Sequence, residues 1–207
     1  TMEDLAEYHS PVGSPYAANY KGYDVFSCGP WCQGPVVPQA LNLLEGIDLK
    51  SLGHNSTEYL HHLAEAFKLV MSDRDKFYGD PDFVKVPMQG LLSKEYATER
   101  RELIDFDKAY PAMPPHGDPW RWQGEQVTGG PTPTQPQPSS VPAFEADTSY
   151  VCVVDAEGNA FSATPSDATF DTPVIPGLGF ALSSRGQQSW VDPEHTSSLQ
   201  PGKRPRM

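Results

Sequence analysis

Thr148 is the residue in this chain whose type and setting best suit bond-breaking chemistry. It opens an apolar run, Thr148–Val154, directly behind a long stretch rich in proline, glycine and polar residues. A threonine hydroxyl in that position could attack the carbonyl carbon of Asp147, carry the acyl group from nitrogen to oxygen as an ester, and lose it to water. The α-amine released at Thr148 would then serve as base for the same hydroxyl, the pairing of a threonine nucleophile with an N-terminal amine. A flexible segment on the acyl side lets the cut end move away. On its own, however, a threonine at a strand start is commonplace, and the junction equally describes the beginning of an ordinary hairpin.

Other chemistry-bearing residues carry weaker patterns. Cys28 and Cys32 flank Gly29-Pro30-Trp31 and could pair if that segment turns, although so short a loop closes poorly and free thiols are the preferred reading. The same cysteines could be half of a metal site, but His54, His61 and His62 lack ligand spacing, and adjacent histidines on a helix face different ways. Asp73-Arg74-Asp75 and Gly79-Asp80-Pro81-Asp82 depart from the calcium-loop pattern and read as helix-end and turn residues. The sequence therefore calls for no metal and no cofactor.

These residues need elements to hold them. Residues 2–8 read as a short helix, and Tyr16–Tyr20 with Tyr23–Phe26 as an extended pair around Lys21-Gly22. Pro35 suits the first turn of a helix that runs through Val36, Ala40, Leu41 and Leu44 to Gly46, apolar on more than one side and so buried. Asn55 or Ser56 can cap a long helix over Thr57–Phe77, with Leu60, Leu63, Ala64, Phe67, Val70 and Met71 at helical spacing. A mainly charged helix over Lys94–Leu103 is expected on the surface. Of the 22 prolines, nine fall between Pro111 and Pro142, a composition expected to be mobile, with Trp120 and Trp122 pinning its first part. Thr148–Val154 and Ala160–Ala163 then read as a hairpin around Asp155-Ala156-Glu157-Gly158-Asn159, followed by an extended piece in Thr172–Ser184 and a polar tail.

The formal net charge of −12 and a pI near 4.8 argue against a nucleic-acid partner, since the only basic cluster is Lys203, Arg204 and Arg206 in the tail. No run of eighteen apolar residues occurs, so no membrane span is expected. No signal peptide is visible at the start.

The stretch DTSYVCVVDAEGNAFSATPSDATF resembles the start of the small subunit in the γ-glutamyltranspeptidase family, where a nucleophilic threonine leads into a strand, a D-x-x-G-N turn and a second strand. Matches continue in the family's order through TMEDLAEY, YKGYDVFS, the run from QALNLLEG to GDPDFV, GLLSKEYATERR and PGKRP. The resemblance implies that Thr148 is the nucleophile, Asp147 the acyl side of the processed bond, and Thr164 and Ser166 hydroxyls that orient the nucleophile and its amine. Ala168 stands where an asparagine is usual. Ser183-Ser184-Arg185-Gly186-Gln187-Gln188 replaces a stretch whose last aspartate binds the glutamyl ammonium, a charge-assisted contact of roughly 1.5–3 kcal/mol. Arg185 instead offers a fork suited to a carboxylate, with Ser183 and Ser184 beside it as substrate-binding candidates. The CGPWCQGP and SSRG segments look more like the family's divergent amidohydrolase branch, which includes oxamate-hydrolysing enzymes.

The expected fold class is therefore α+β, and by resemblance part of a four-layer αββα sandwich of the N-terminal-nucleophile type. Residues 1–110 would be the helical end of a large-subunit region, 111–147 a proline-rich linker ending at the processing site, and 148–207 the start of a small-subunit region. The expected function is self-processing followed by hydrolysis of a small amide through an acyl-Thr148 intermediate. γ-Glutamyl transfer or glutathione hydrolysis is the alternative within the family, and a non-catalytic structural or binding module the alternative outside it. The expected partners are a small-molecule amide and the missing segments of the same polypeptide or its processed partner subunit. The chain is expected to be an internal piece, inactive alone.

Overall fold

A computed structural model describes residues 2–10, 12–124, 148–166 and 172–206. In chain order the elements are α1 (Met2–Glu7), β1 (Tyr16–Tyr20), β2 (Tyr23–Ser27), α2 (Val36–Leu44), α3 (Thr57–Phe77), α4 (Met88–Leu91), α5 (Lys94–Arg101), a 3₁₀ turn (Pro119–Trp122), β3 (Val151–Val154), β4 (Ala160–Ala163) and a second 3₁₀ turn (Arg185–Gln188). Each strand pair is an antiparallel two-stranded sheet. Helices plus antiparallel hairpins make the described residues α+β. No described helix is long and apolar enough to cross a membrane.

Local chemistry explains the first elements. Lys21 and Gly22 both have positive φ, at 49° and 90°, which gives the tight hairpin turn that strand twist favours. Ser56 is the residue that caps α3, accepting from the Tyr59 amide at 3.0 Å. Arg101 reaches back across Gly46 to the end of α2, donating to Leu43 O at 2.7 Å and Asn42 O at 3.4 Å. Carbonyls at a helix end lack intrahelical donors, so this arginine supplies what the local sequence does not.

The core lies between α2, α3 and α5, with Ala40, Leu43, Leu69, Val70, Tyr78, Leu91 and Tyr96 nearly or fully buried. Burial of each large aliphatic side chain contributes roughly 1.5–3 kcal/mol. The apolar stripe expected along α3 is only partly the buried one, because Leu60 and Phe67 are exposed. Its inward face carries His62, Glu65, Ala66, Leu69, Val70, Asp73 and Phe77.

Asp73 makes that polar face workable. Its Oδ2 accepts from Gln39 Nε2 at 2.8 Å and the Tyr96 hydroxyl at 2.9 Å. Its Oδ1 accepts from the Gly117 amide at 3.0 Å and pairs with Arg100 Nη2 at 3.2 Å. Burial pushes the Asp73 carboxyl up, and Arg100 and these donors oppose the shift. A buried carboxylate is tolerable only when matched in this way. The α5 helix thus differs from the expected surface helix: it ends at Arg101 and buries Tyr96, Ala97 and Arg100, with Tyr96 and Arg100 reaching Asp73 on α3. Trp120 and Trp122 pack on the same core, and Pro119 is buried. The remainder of the expected linker, residues 125–147, lies outside the described residues.

The tail is held against the helical region. Arg204 donates from its backbone amide to Asp80 Oδ2 at 2.9 Å and from Nη2 to Asp82 at 2.8 Å, with a further ion pair to Asp80 at 2.5 Å. Burial would raise the Asp80 carboxyl, but the Arg204 contacts outweigh it and hold it low. Arg206 is buried and bridges Arg74 O, Asp75 O and the Asp75 carboxylate. The basic cluster is therefore an internal clasp on the end of α3.

Candidate active site

The β3–β4 hairpin sets the candidate nucleophile. Its turn closes through Asp155 N to Asn159 O at 3.1 Å, while the Asp155 carboxylate accepts from the Asn159 amide and side chain, both at 2.8 Å. Those hydrogen bonds hold the Asp155 carboxyl below its usual range. Gly158 supplies the left-handed position at φ 85°. With the register fixed as Val151 opposite Ala163, pairing carried outward brings Thr148 opposite Ser166 and Tyr150 opposite Thr164. The Ser149 amide donates to Pro165 O at 3.1 Å, so the ladder persists beyond the regular strands.

The chemistry meets at Ser166. Thr148 Oγ1 donates to Ser166 Oγ at 2.9 Å, and Arg185 Nη2 donates to the same oxygen at 2.6 Å. Ser166 thus takes up the threonine proton direction on one side and a guanidinium on the other. A short charge-assisted bond fixes the serine oxygen more firmly than a neutral one does. It also leaves the lone pairs of Thr148 Oγ1 free to point elsewhere, toward an electrophile. The cation close by favours negative charge developing on these oxygens.

The other candidates fall around this chain of contacts. Thr164 lies on the same face of the hairpin, and the hydrogen bonds of the cluster run through Ser166. Ser183 Oγ accepts from the Arg185 amide at 3.1 Å, which shapes the turn that delivers the guanidinium. Ser184 is the residue before the 3₁₀ turn, with no side-chain cap bond. Asp147 and Ala168 lie outside the described residues, as does Met207. The extended piece expected in Thr172–Ser184 is a turn bridged at Val174 and Ala181, with Ile175 N on Phe180 O at 2.9 Å. Pro173, Pro176 and the positive-φ glycines Gly177 and Gly179 prevent a longer strand.

Sequence reasoning passed over one residue and one contact. Tyr150, whose hydroxyl lies 3.1 Å from Ser162 Oγ, ties the two strands together next to Thr148. The contact of Arg185 with Ser166 has no local signal, since both were read separately, one as a substrate fork and the other as an orienting hydroxyl.

The profile of the family described as Gamma-glutamyltranspeptidase matches residues 1–207. The acylase ACY 1 proenzyme of Pseudomonas sp. (strain SE83) is 36% identical over 204 residues, covering 97% of this chain and 32% of that protein. The glutathione hydrolase proenzyme of Escherichia coli (strain K12) is 34% identical over 180 residues, covering 86% of this chain and 27% of its own length. Among solved structures, a cephalosporin acylase from Bacillus halodurans superposes with a TM-score of 0.75 at 30% identity, over 99% of this chain and 32% of that one. The chain spans about a third of the length of the relatives it matches.

Proposed function

The chain belongs to the gamma-glutamyltranspeptidase family, and from that premise we propose that the whole protein is a self-processing threonine amidohydrolase whose nucleophile is Thr148. The observation that carries this reading is the contact chain from Thr148 Oγ1 through Ser166 Oγ to Arg185. Thr148 attacks the carbonyl carbon of Asp147, and water then hydrolyses the ester so formed. The freed amine of Thr148 afterwards takes the proton from its own hydroxyl as that hydroxyl attacks a substrate amide. Ser166 holds the hydroxyl in line through both reactions, and Thr164 lies ready on the same face for the new amine.

The substrate is a small amide bearing a carboxylate. The cationic Arg185, which also contacts Ser166 and has Ser183 and Ser184 beside it in the chain, supplies the charge that matches the acid group. The four-layer sandwich is completed by the other segments of the polypeptide, or by the processed partner subunit, packed on the hairpin. No cofactor is required.

The test is made on the full-length protein. Intact mass over time should show splitting before Thr148 in the wild type and none in Thr148→Ala. A protein that never splits, and whose Thr148→Ala variant behaves identically, rejects the enzymatic reading. The second reading, γ-glutamyl transfer or hydrolysis, is favoured by the Escherichia coli relative named a glutathione hydrolase. Comparing γ-glutamyl anilides with small carboxylate amides separates the two, because strong γ-glutamyl turnover overturns the specificity drawn from Arg185.

A further inference from the structure

The CGPWCQGP loop has no part in the chemistry above, yet its two cysteines are arranged for one of their own. We infer that Cys28 and Cys32 form a reversible dithiol–disulfide pair, a redox modification site between β2 and α2. The loop is already closed around them. The Cys32 amide donates to Gly29 O at 3.2 Å, folding the intervening residues into a turn. Cys32 Sγ contacts Gly29 O at 3.2 Å and the Gly34 amide at 3.4 Å. Gly34 in turn lies directly on the Cys28 backbone: a Cβ there would sit 2.5 Å from Cys28 O and 2.8 Å from Cys28 N. That approach, which only glycine permits, folds the chain after Cys32 back onto Cys28, and the Cys28 side chain is close enough to interact with the Cys32 thiol. Both thiols are free in this structure.

Their exposures differ, and the difference assigns the roles. Cys28 is exposed and Cys32 half-buried. Burial pushes the Cys32 thiol up, the Gly34 amide opposes this, and the neighbouring Cys28 adds to it. Cys28 therefore meets the oxidant first and Cys32 resolves. With a small disulfide as oxidant, the Cys28 thiolate attacks one of its sulfurs and expels a thiolate, giving a mixed disulfide. Cys32 then attacks Cys28 Sγ and expels the second thiolate. The two electrons lost by the cysteines reduce the small disulfide to two thiols, which carry off the two protons.

The experiment exposes the whole chain to oxidised and reduced glutathione in fixed ratios, then alkylates and maps the peptides by mass. The expected result is loss of two hydrogens from the peptide spanning Cys28 and Cys32, with Cys152 still alkylated. Closure should also be favoured by about tenfold over the same chain unfolded in guanidinium, because the folded turn holds the thiols together. Cys32→Ser should accumulate glutathione on Cys28, whereas Cys28→Ser should not accumulate it on Cys32. The inference is overturned if both cysteines remain alkylatable at every ratio. It is equally overturned if the wild type stops at the mixed disulfide, or if folding confers no advantage. None of these readouts depends on Thr148 or on self-processing.

Discussion

The helical region and the β3–β4 region treat polar and apolar side chains in opposite ways. Around α2, α3 and α5, charged and polar side chains are inside: Gln39, Asp73 and Arg100 are each at most 3% exposed. In the hairpin the apolar side chains are outside, with Val153 at 55%, Phe161 at 59% and Val154 at 70% exposure. One region has an interior of its own among the described residues, with matched donors on a buried carboxylate. The other fixes its register and its Thr148–Ser166–Arg185 contacts but leaves both faces of a two-stranded sheet uncovered. An isolated hairpin of that kind is marginal in water. Local hydrogen bonding can therefore set the geometry of a site well before there is a core to support it.

The contrast can be broken most forcefully at Asp73. Asp73→Ala leaves Arg100 buried without its carboxylate and strands the Gln39 and Tyr96 donors, so a loss of about 3–5 kcal/mol is expected in urea denaturation. A loss under about 1 kcal/mol would mean that the polar interior is not what holds the helices. Next in size is the response to acid. His195 is buried, stacked on Trp190 at 4.2 Å, and accepts from the Ser197 amide. Burial lowers its pKa to about 4, Arg206 and Lys203 act in the same sense, and Asp75 and Asp192 oppose them. The imidazole is thus neutral when folded and free to protonate when unfolded. Its contribution is fully present above about pH 6.5 and is lost as pH falls toward 4. Between pH 7 and 5 about 2 kcal/mol should disappear, and His195→Gln should remove that part of the difference between the two denaturation curves.

Smaller effects sharpen the comparison. Ser56→Ala deletes the α3 cap and should cost about 1 kcal/mol in the same denaturation assay. On the hairpin, Val153→Thr should change stability by less than about 0.5 kcal/mol in this chain. In the full-length protein the same change should cost markedly more if other segments cover that face. Equal small losses in both would show that the hairpin is solvent-facing by design.

What the sequence made legible follows from how far apart the partners lie. The α3 cap at Asn55 or Ser56, the Lys21-Gly22 turn, the Asp155–Asn159 turn and the hairpin it closes are all short-range, and residue types and spacing pointed to them. The Thr57–Phe77 helix was legible, but its inward face was not. His62, Asp73 and their neighbours complete the helical period only when polar residues are allowed inside, and Asp73 is tolerated there because Gln39, Tyr96, Arg100 and Gly117 arrive from other elements. The charged appearance of Lys94–Arg101 misled for the same reason. At the site, the roles given to Thr148 and Ser166 came from the resemblance, while the bond from Arg185 to Ser166 depends on how the Thr172–Ser184 turn folds back. Nothing in the spacing of those residues encodes it.

The clasp of Arg204 and Arg206 on Asp80, Asp82 and Asp75 has a topological consequence. It staples residues from the two sides of the Asp147–Thr148 bond. While that bond is intact, the clasp closes a loop, and the intervening chain keeps its two halves at an effective concentration of about millimolar order. Scission of the bond would turn the same contacts into the interface of a heterodimer, whose persistence on dilution rests on these ion pairs and their buried neighbours. The tail would then act as the tether between two separate polypeptides.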